Sequence, residues 1–364
     1  MAVDTAPRAG PGPAVVRPHR RRRLILQVLA GVLCFLLLQE VASLLGPMAQ
    51  LRYGSAESVL ARLHAYRALP APPEVVLVGS SRMIRDVDAG MVADELAPAF
   101  GHRPTVFNFG VDAPDAVALH RVVDIISSAK ARPKLVIYAT SEFEFNNAIN
   151  TFMHYYTSTT SVVDLSHLFR YETSLNFRTD FLANKLLPAY GYRMPLLRAG
   201  ECVLRGLIRR PDAERCDRHE FRENNNLTMP ASWWQDTVQG YRTGLLSPFV
   251  LGGEQARAFS SSLRTLKERG IPVVTIAFPA HRQIQQAMPP GVPYTAYVDE
   301  VRQIAQRECV PFADYHNVNY PHDDWLDPSH LNDKGAAVFT PDVVRVALDA
   351  LRSGDAAPSC ASGR

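Results

Sequence analysis

A serine, an aspartate and a histidine, in that chain order, are the side chains that nucleophilic acyl chemistry needs, and this sequence sets all three at the edges of elements. Gly79-Ser80-Ser81-Arg82 follows the apolar run Val75-Val76-Leu77-Val78. A serine where a buried strand turns can lift its hydroxyl to the sheet rim while its own N–H faces the same point. The same tetrapeptide also suits a plain strand-to-helix turn, or an anion cradle at a helix start. Near the other end of the chain, Asp327-Pro328-Ser329-His330 puts a carboxylate and an imidazole three residues apart, so one turn brings them together. A carboxylate so placed fixes the histidine tautomer and stabilises the imidazolium that forms when a serine is deprotonated. Asp-x-x-His can also merely brace a loop; the order Ser81, Asp327, His330 along one rim favours a joint role.

Other polar residues read more simply. Asp112 and Asp115 follow Gly110 and suit helix capping. Arg82 could hold an anion, but an exposed arginine is the default. His281, after the apolar run ending at Phe278, is either a substrate contact or an exposed loop residue. His316, His322, Asp323 and Asp324 match no standard ligand spacing, so no metal is expected, and no cofactor. Trp233-Trp234 suits packing, stacking on a sugar, or a place against a membrane.

The elements that must position these residues are legible as alternating runs. Strands are expected at 74–78, 105–109, 134–139, 271–278 and 310–313, with helices at 114–130, 255–269, 297–308 and from Asn332 or Asp333 to about 351. Strand–helix alternation implies an α/β fold, a parallel sheet covered on both faces. Such sheets bind ligands at the carboxyl ends of their strands. Residues 145–250 separate the third and fourth strands by more than one crossover helix requires, and read as an inserted helical cap. The α/β domain spans 74–352, preceded by a connector at 47–73, helical over 56–68, and followed by a small polar tail at 353–364.

At 364 residues, with 47% apolar and 21% charged side chains, the chain can bury a large core. Its net charge of +3 conceals an asymmetry: residues 1–23 carry six arginines and one aspartate, so removing their +5 leaves −2 for the rest. No basic surface remains to track a phosphate backbone, and nucleic-acid binding is not expected. Residues 1–23 read as a disordered, basic, cytoplasmic segment ending in Arg20-Arg21-Arg22-Arg23. The apolar stretch 24–46 follows, about 34 Å long as a helix and sufficient to cross a hydrocarbon core. Basic residues before it retain that end in the cytoplasm and send the remainder outside. A cleaved signal peptide with the shorter apolar core 24–38 is the rival reading. In an oxidising compartment Cys202 and Cys216 are expected to pair; Cys34 lies in the apolar stretch, and Cys309 and Cys360 are unassigned.

Three blocks of this sequence resemble the SGNH (GDSL-like) hydrolase superfamily: the strand ending in Gly79-Ser80-Ser81, the run Asn108-Phe109-Gly110, and Asp327-Pro328-Ser329-His330 before a final helix. The resemblance covers roughly 74–144 and 254–351. It implies a flavodoxin-like sheet, Ser81 as nucleophile, His330 as base, Asp327 as orienting partner, and the N–H groups of Ser81 and Gly110 as oxyanion donors. Ser80 stands where the family usually has aspartate. Ala139-Thr140-Ser141-Glu142 replaces the family's Gly-x-Asn-Asp, so a hydroxyl of Thr140 or Ser141 has to stand in for the oxyanion asparagine. Loss of such a donor costs ~10²–10³ in rate, which favours slow acyl transfer over fast hydrolysis. The resemblance extends to membrane-anchored SGNH-like partners of membrane-bound O-acyltransferases, as in alginate acetylation and teichoic-acid D-alanylation. It implies O-acyl transfer on a cell-envelope polysaccharide or glycolipid, beside a polytopic acyltransferase. An esterase or lipase, and a non-catalytic envelope scaffold, are the alternatives.

Overall fold

The computed structural model describes residues 18–53, 59–129, 131–148, 175–207 and 228–353. Strands β1 (Val75–Gly79), β2 (Val106–Gly110), β3 (Leu135–Thr140), β4 (Val273–Ala277) and β5 (Phe312–Asp314) form one parallel sheet in the order β2-β1-β3-β4-β5. Strands β1, β3 and β4 are buried along their whole length, as near-continuous Val, Ile and Leu runs require when both faces are covered.

Side-chain alternation divides those runs between two cores. Val76, Val78, Val136 and Tyr138 face α5 (Ala116–Ser128), α10 (Gly253–Glu268) and α12 (Tyr294–Arg307), packing with Val122, Phe259 and Tyr297. Val75, Leu77, Ile137 and Ile276 face the opposite layer, where α4 (Ala89–Phe100) and α13 (Asp333–Ser353) contribute Val92, Leu96, Phe339 and Val343. Asp115 caps α5 by accepting the Ala118 N–H at 2.7 Å.

Five elements differ from the sequence expectation. Helix α4 was not foreseen, although Asp88 caps it through the N–H groups of Gly90 and Met91 and Gly101 ends it in the left-handed region at φ 73°. The N-terminal helix α1 (Pro18–Tyr53) runs past residue 46 and through Pro47, and the connector helix α2 is Val59–Arg67. A short α3 (Ser81–Asp86) follows β1 directly. The segment carrying Asp327 and His330 is an antiparallel hairpin, β6 (Trp325–Asp327) with β7 (His330–Leu331), not a loop.

Within α1, Arg22–Ala49 is long and apolar enough for a single membrane span or a signal sequence. The described part of the insertion is helical: α6 (Leu175–Leu186), α7 (Pro188–Gly191), α8 (Arg193–Leu207) and α9 (Ala231–Gly240). Cys202 and Cys309 are both in disulfides and Cys34 is free; Cys216 and Cys360 lie outside the described residues, and with them the expected Cys202–Cys216 pairing. The segment 1–17, most of the tail and the cluster His154-Tyr155-Tyr156 also lie outside them.

Candidate active site

Ser81 is the first residue of α3, two positions beyond the last residue of β1. Because β1 lies between β2 and β3, the hydroxyl is placed at the carboxyl rim of the sheet. The hairpin β6–β7 reaches the same rim just before α13. Its register sets Asp327 opposite His330, with Pro328 and Ser329 as the turn.

The three side chains meet in series. Ser81 Oγ lies 2.8 Å from His330 Nε2, and His330 Nδ1 lies 2.9 Å from Asp327 Oδ2. With Nδ1–H donating to the carboxylate, Nε2 is left as the acceptor for the serine proton. The Asp327 carboxylate also accepts the N–H groups of Ser329 at 2.7 Å and His330 at 3.0 Å, and the Ser329 hydroxyl donates to Oδ1 at 2.7 Å. Burial alone would raise the Asp327 carboxyl, but the imidazole and these donors hold it well below the usual carboxylate range. Burial likewise opposes charge on His330, yet Asp327 and then Asp86 raise it above the ordinary imidazole value. The histidine is thus poised to take a proton, with the charge it would acquire already countered.

The serine-bearing helix is fastened at both ends. At its start, Ser81 meets His330; at its end, Asp86 Oδ1 accepts the N–H of Leu331 at 2.8 Å, so α3 is pinned along β7. Asp86 is fully buried, and burial pushes its carboxyl up to about 7. Arg82 is 1% exposed, which overturns the expectation of an exposed arginine. Its guanidinium forks onto Glu142 at 2.7 and 2.9 Å, and the Tyr294 hydroxyl donates to Glu142 at 2.6 Å. This buried pair joins the end of β1 to the end of β3, directly behind the nucleophile.

The oxyanion donors expected from the sequence are differently engaged. The Gly110 N–H donates to Asn108 Oδ1 at 2.9 Å, while the Asn108 amide donates to Met83 O at 2.7 Å. Gly110 is required for another reason: a Cβ there would come within 2.5 Å of Ile84 Cγ1 and 3.0 Å of its backbone nitrogen, so α3 could not lie against β2. The Thr140 hydroxyl donates to Ile276 O at 3.1 Å and is 2.9 Å from the Tyr297 hydroxyl, buried within the fold. The Ser141 hydroxyl lies 2.9 Å from that of Ser80, so these two pair with each other at the rim. The remaining donor of the expected set is the N–H of Ser81, which at the first helical position has no intrahelical acceptor.

Around the rim, His281 is half-buried, its ring 5.1 Å from Trp234 and 5.4 Å from Trp325, with edge-on contact to both. Burial and then the nearby His322 lower its pKa. Trp234 is buried and donates to Gln283, whereas Trp233 is 55% exposed. A cleft of about 290 Å³ separates α9 from α11 (Arg282–Gln285) and its C-terminal flank, lined by Trp234, Val238, Arg242, Gln283 and Gln286. His316 is turned to Asp314 at 2.6 Å and His322 to the Trp234 ring, so neither joins the triad.

Sequence reasoning missed Asp86, Ser329 and the Arg82–Glu142 pair. One signal for the pair was available: Val78 and Tyr138 are register partners, and Arg82 and Glu142 each lie four residues beyond them. Opposite charges at equal offset past paired strands are placed to meet. Comparison with protein-family models and with curated proteins returns no match to this chain.

Proposed function

We propose that this chain is a membrane-anchored serine acyl-transfer enzyme of the SGNH type, modifying a cell-envelope polysaccharide or glycolipid outside the cytoplasm. The observation that carries the reading is the continuous relay Ser81 Oγ, His330 Nε2, His330 Nδ1, Asp327, at 2.8 and 2.9 Å. In the proposed reaction Ser81 Oγ attacks an acyl carbonyl as His330 Nε2 takes the hydroxyl proton. The leaving group departs with that proton, and an acyl-Ser81 ester remains. A sugar hydroxyl then attacks the ester, its proton passes to His330, and Ser81 is regenerated as the new ester leaves.

Several features support the finer parts of the reading. The strand order β2-β1-β3-β4-β5 is that of flavodoxin-like doubly wound sheets, the arrangement the SGNH resemblance implies. The apolar helix with arginines before it suits an anchor whose C-terminal side is extracytoplasmic, and disulfides at Cys202 and Cys309 suit an oxidising compartment. An acceptor held in place can react with an effective molarity of ~10⁵ M or more, far above water at about 55 M, so a positioned sugar outcompetes hydrolysis. A polytopic O-acyltransferase is the expected source of the acyl group.

The test is the ester content of the envelope glycan in a strain lacking the gene. It should fall; a rise would identify a deacylase, and the esterase reading would replace this one. A non-catalytic reading draws on one observation, that the Gly110 N–H, Thr140 and Ser141 already have hydrogen-bond partners. Labelling of Ser81 by a fluorophosphonate probe decides against it, and absence of labelling in the folded protein decides for it.

A further inference from the structure

The insertion makes a contact whose depth has a consequence. The N–H of Ala189, in α7, donates to Gln39 Oε1 of α1 at 3.0 Å. Gln39 lies seven residues before residue 46, the end of the apolar stretch, which is about 10 Å along the helix axis. If α1 crosses the bilayer, the element that meets Gln39 is itself below the membrane surface.

The face of α1 that receives the insertion is built for close approach. Ala42 and Ala49 are buried and Gly46 lies under the ring of Tyr192, which a Cβ at that position would strike. Gln39, Ala42, Gly46 and Ala49 recur three or four residues apart, a stripe of small residues that lets helices pack closely where no water drives them together. Gln39 cannot leave its amide unpaired in hydrocarbon, and the free N–H at the start of α7 gives its oxygen a partner.

The outward faces of the same insertion helices expose large apolar side chains. On α8, Met194, Leu197 and Leu204 are 67%, 67% and 57% exposed and fall on one side of the helix, which also carries the exposed Glu201 and has Arg193 and Arg198 at its flanks, an amphipathic face suited to the headgroup boundary. On α6, Leu175 and Leu186 are 74% and 70% exposed, with Leu182 between them on the same face. Helix α1, against which α7 and α8 pack, exposes apolar side chains too: Leu33, Leu37 and Leu44 are 59%, 56% and 70% exposed.

We infer that α6–α8 are embedded in the outer leaflet beside α1, with the leucine faces of α6 and α8 against lipid acyl chains. The occupant is phospholipid, because α7 and α8 pack directly on the span, at the depth of Gln39, and the flanking arginines suit headgroups. The inference rests on α1 being a membrane span. Its function follows from geometry: a second attachment converts a tether into a fixed mount, holding the Ser81 rim at one height and attitude above the leaflet.

The full chain carrying Leu197→p-benzoyl-phenylalanine is photolysed in vesicles of phosphatidylethanolamine and phosphatidylglycerol, and again in native membranes. Leu37→p-benzoyl-phenylalanine reports the span, and Val338→p-benzoyl-phenylalanine, 57% exposed on α13, reports the aqueous surface. Phospholipid-mass adducts are expected at positions 197 and 37 and none at 338. An adduct at 37 without one at 197 overturns the inference and leaves the span standing. Adducts at neither show that α1 is not a span, and the inference falls with that reading. A protein adduct at 197 in native membranes, in place of lipid, overturns it in favour of a membrane-protein partner.

Discussion

At the residue scale the reaction proposed here depends on His330 being neutral when Ser81 attacks. Because Asp327 holds the imidazole pKa above 6.5 against the effect of burial, kcat/KM should rise with pH and reach half its plateau above that value. A profile flat from pH 5 to 8 would exclude His330 as the base. Ser81→Ala and His330→Ala should each lower turnover of an aryl acetate by at least ~10³-fold, and the double variant should be little worse. Asp327→Asn should be milder, and Ser80→Ala should keep most of the activity, since its hydroxyl is engaged by Ser141 and Glu144 and the hydroxyl on His330 is that of Ser81. Glu144 predicts a separate pH effect. Burial raises its carboxyl from 4.5 to about 8, so the folded protein binds a proton there that the unfolded chain releases. That contribution to stability is present at low pH and is lost as pH rises through that window. Glu144→Gln should flatten the fall of Tm between pH 5 and 8, and an unchanged slope would show that Glu144 is ionised in the fold.

At the scale of elements, the sheet was legible and much of its rim was not. Val75–Val78 and Leu135–Ala139 announce buried strands because every residue in them is apolar or aromatic, a signal contained in the segment itself. The hairpin β6–β7 consists of strands three and two residues long, too short to show an alternation, though the Asp-x-x-His spacing within it was visible. Helix α4 escaped because Pro98 and its glycine and alanine positions blur a short apolar repeat. Arg82 was misjudged since its partner Glu142 is 60 residues away, and nothing near Arg82 records that. The surroundings of Thr140 and Ser141 were hidden for the same reason: their hydroxyls are visible in the sequence, but their partners Tyr297, Ile276 and Ser80 are set by the tertiary fold. Two substitutions test how α3 is held. Arg82→Ala leaves Glu142 buried without its cation and should cost about 3–5 kcal/mol by denaturant unfolding, whereas replacing both partners with apolar residues should cost much less. Gly110→Val drives a side chain into Ile84 and should cost about 1–3 kcal/mol while reducing Ser81 labelling.

At the scale of the molecule, the two ends of the chain divide the work. The N-terminal helix is long and apolar enough for a membrane span or a signal sequence, and the segment β6–β7, just before α13, brings Asp327 and His330 to Ser81. An alkaline-phosphatase fusion after residue 58 should be active, since arginines precede the apolar stretch. An inactive fusion would reverse the orientation and remove the oxidising compartment that the disulfides at Cys202 and Cys309 call for. Carbonate washing should leave the full chain in the membrane, whereas release would favour the cleaved signal.

The distance along the chain between nucleophile and base has a consequence for biogenesis. Ser81 and His330 are 249 residues apart, and β6, β7 and α13 are made last. A chain exported from its N-terminus therefore delivers the serine early, with neither base nor orienting acid beside it. Phe339 and Val343 of α13 share one face of the sheet with Val92 and Leu96 of α4, so that face is only partly covered until α13 emerges. On the proposed reading the chain would be inert throughout its passage and reactive only once its last segment docks, a delay that would protect nearby esters from a half-finished catalyst.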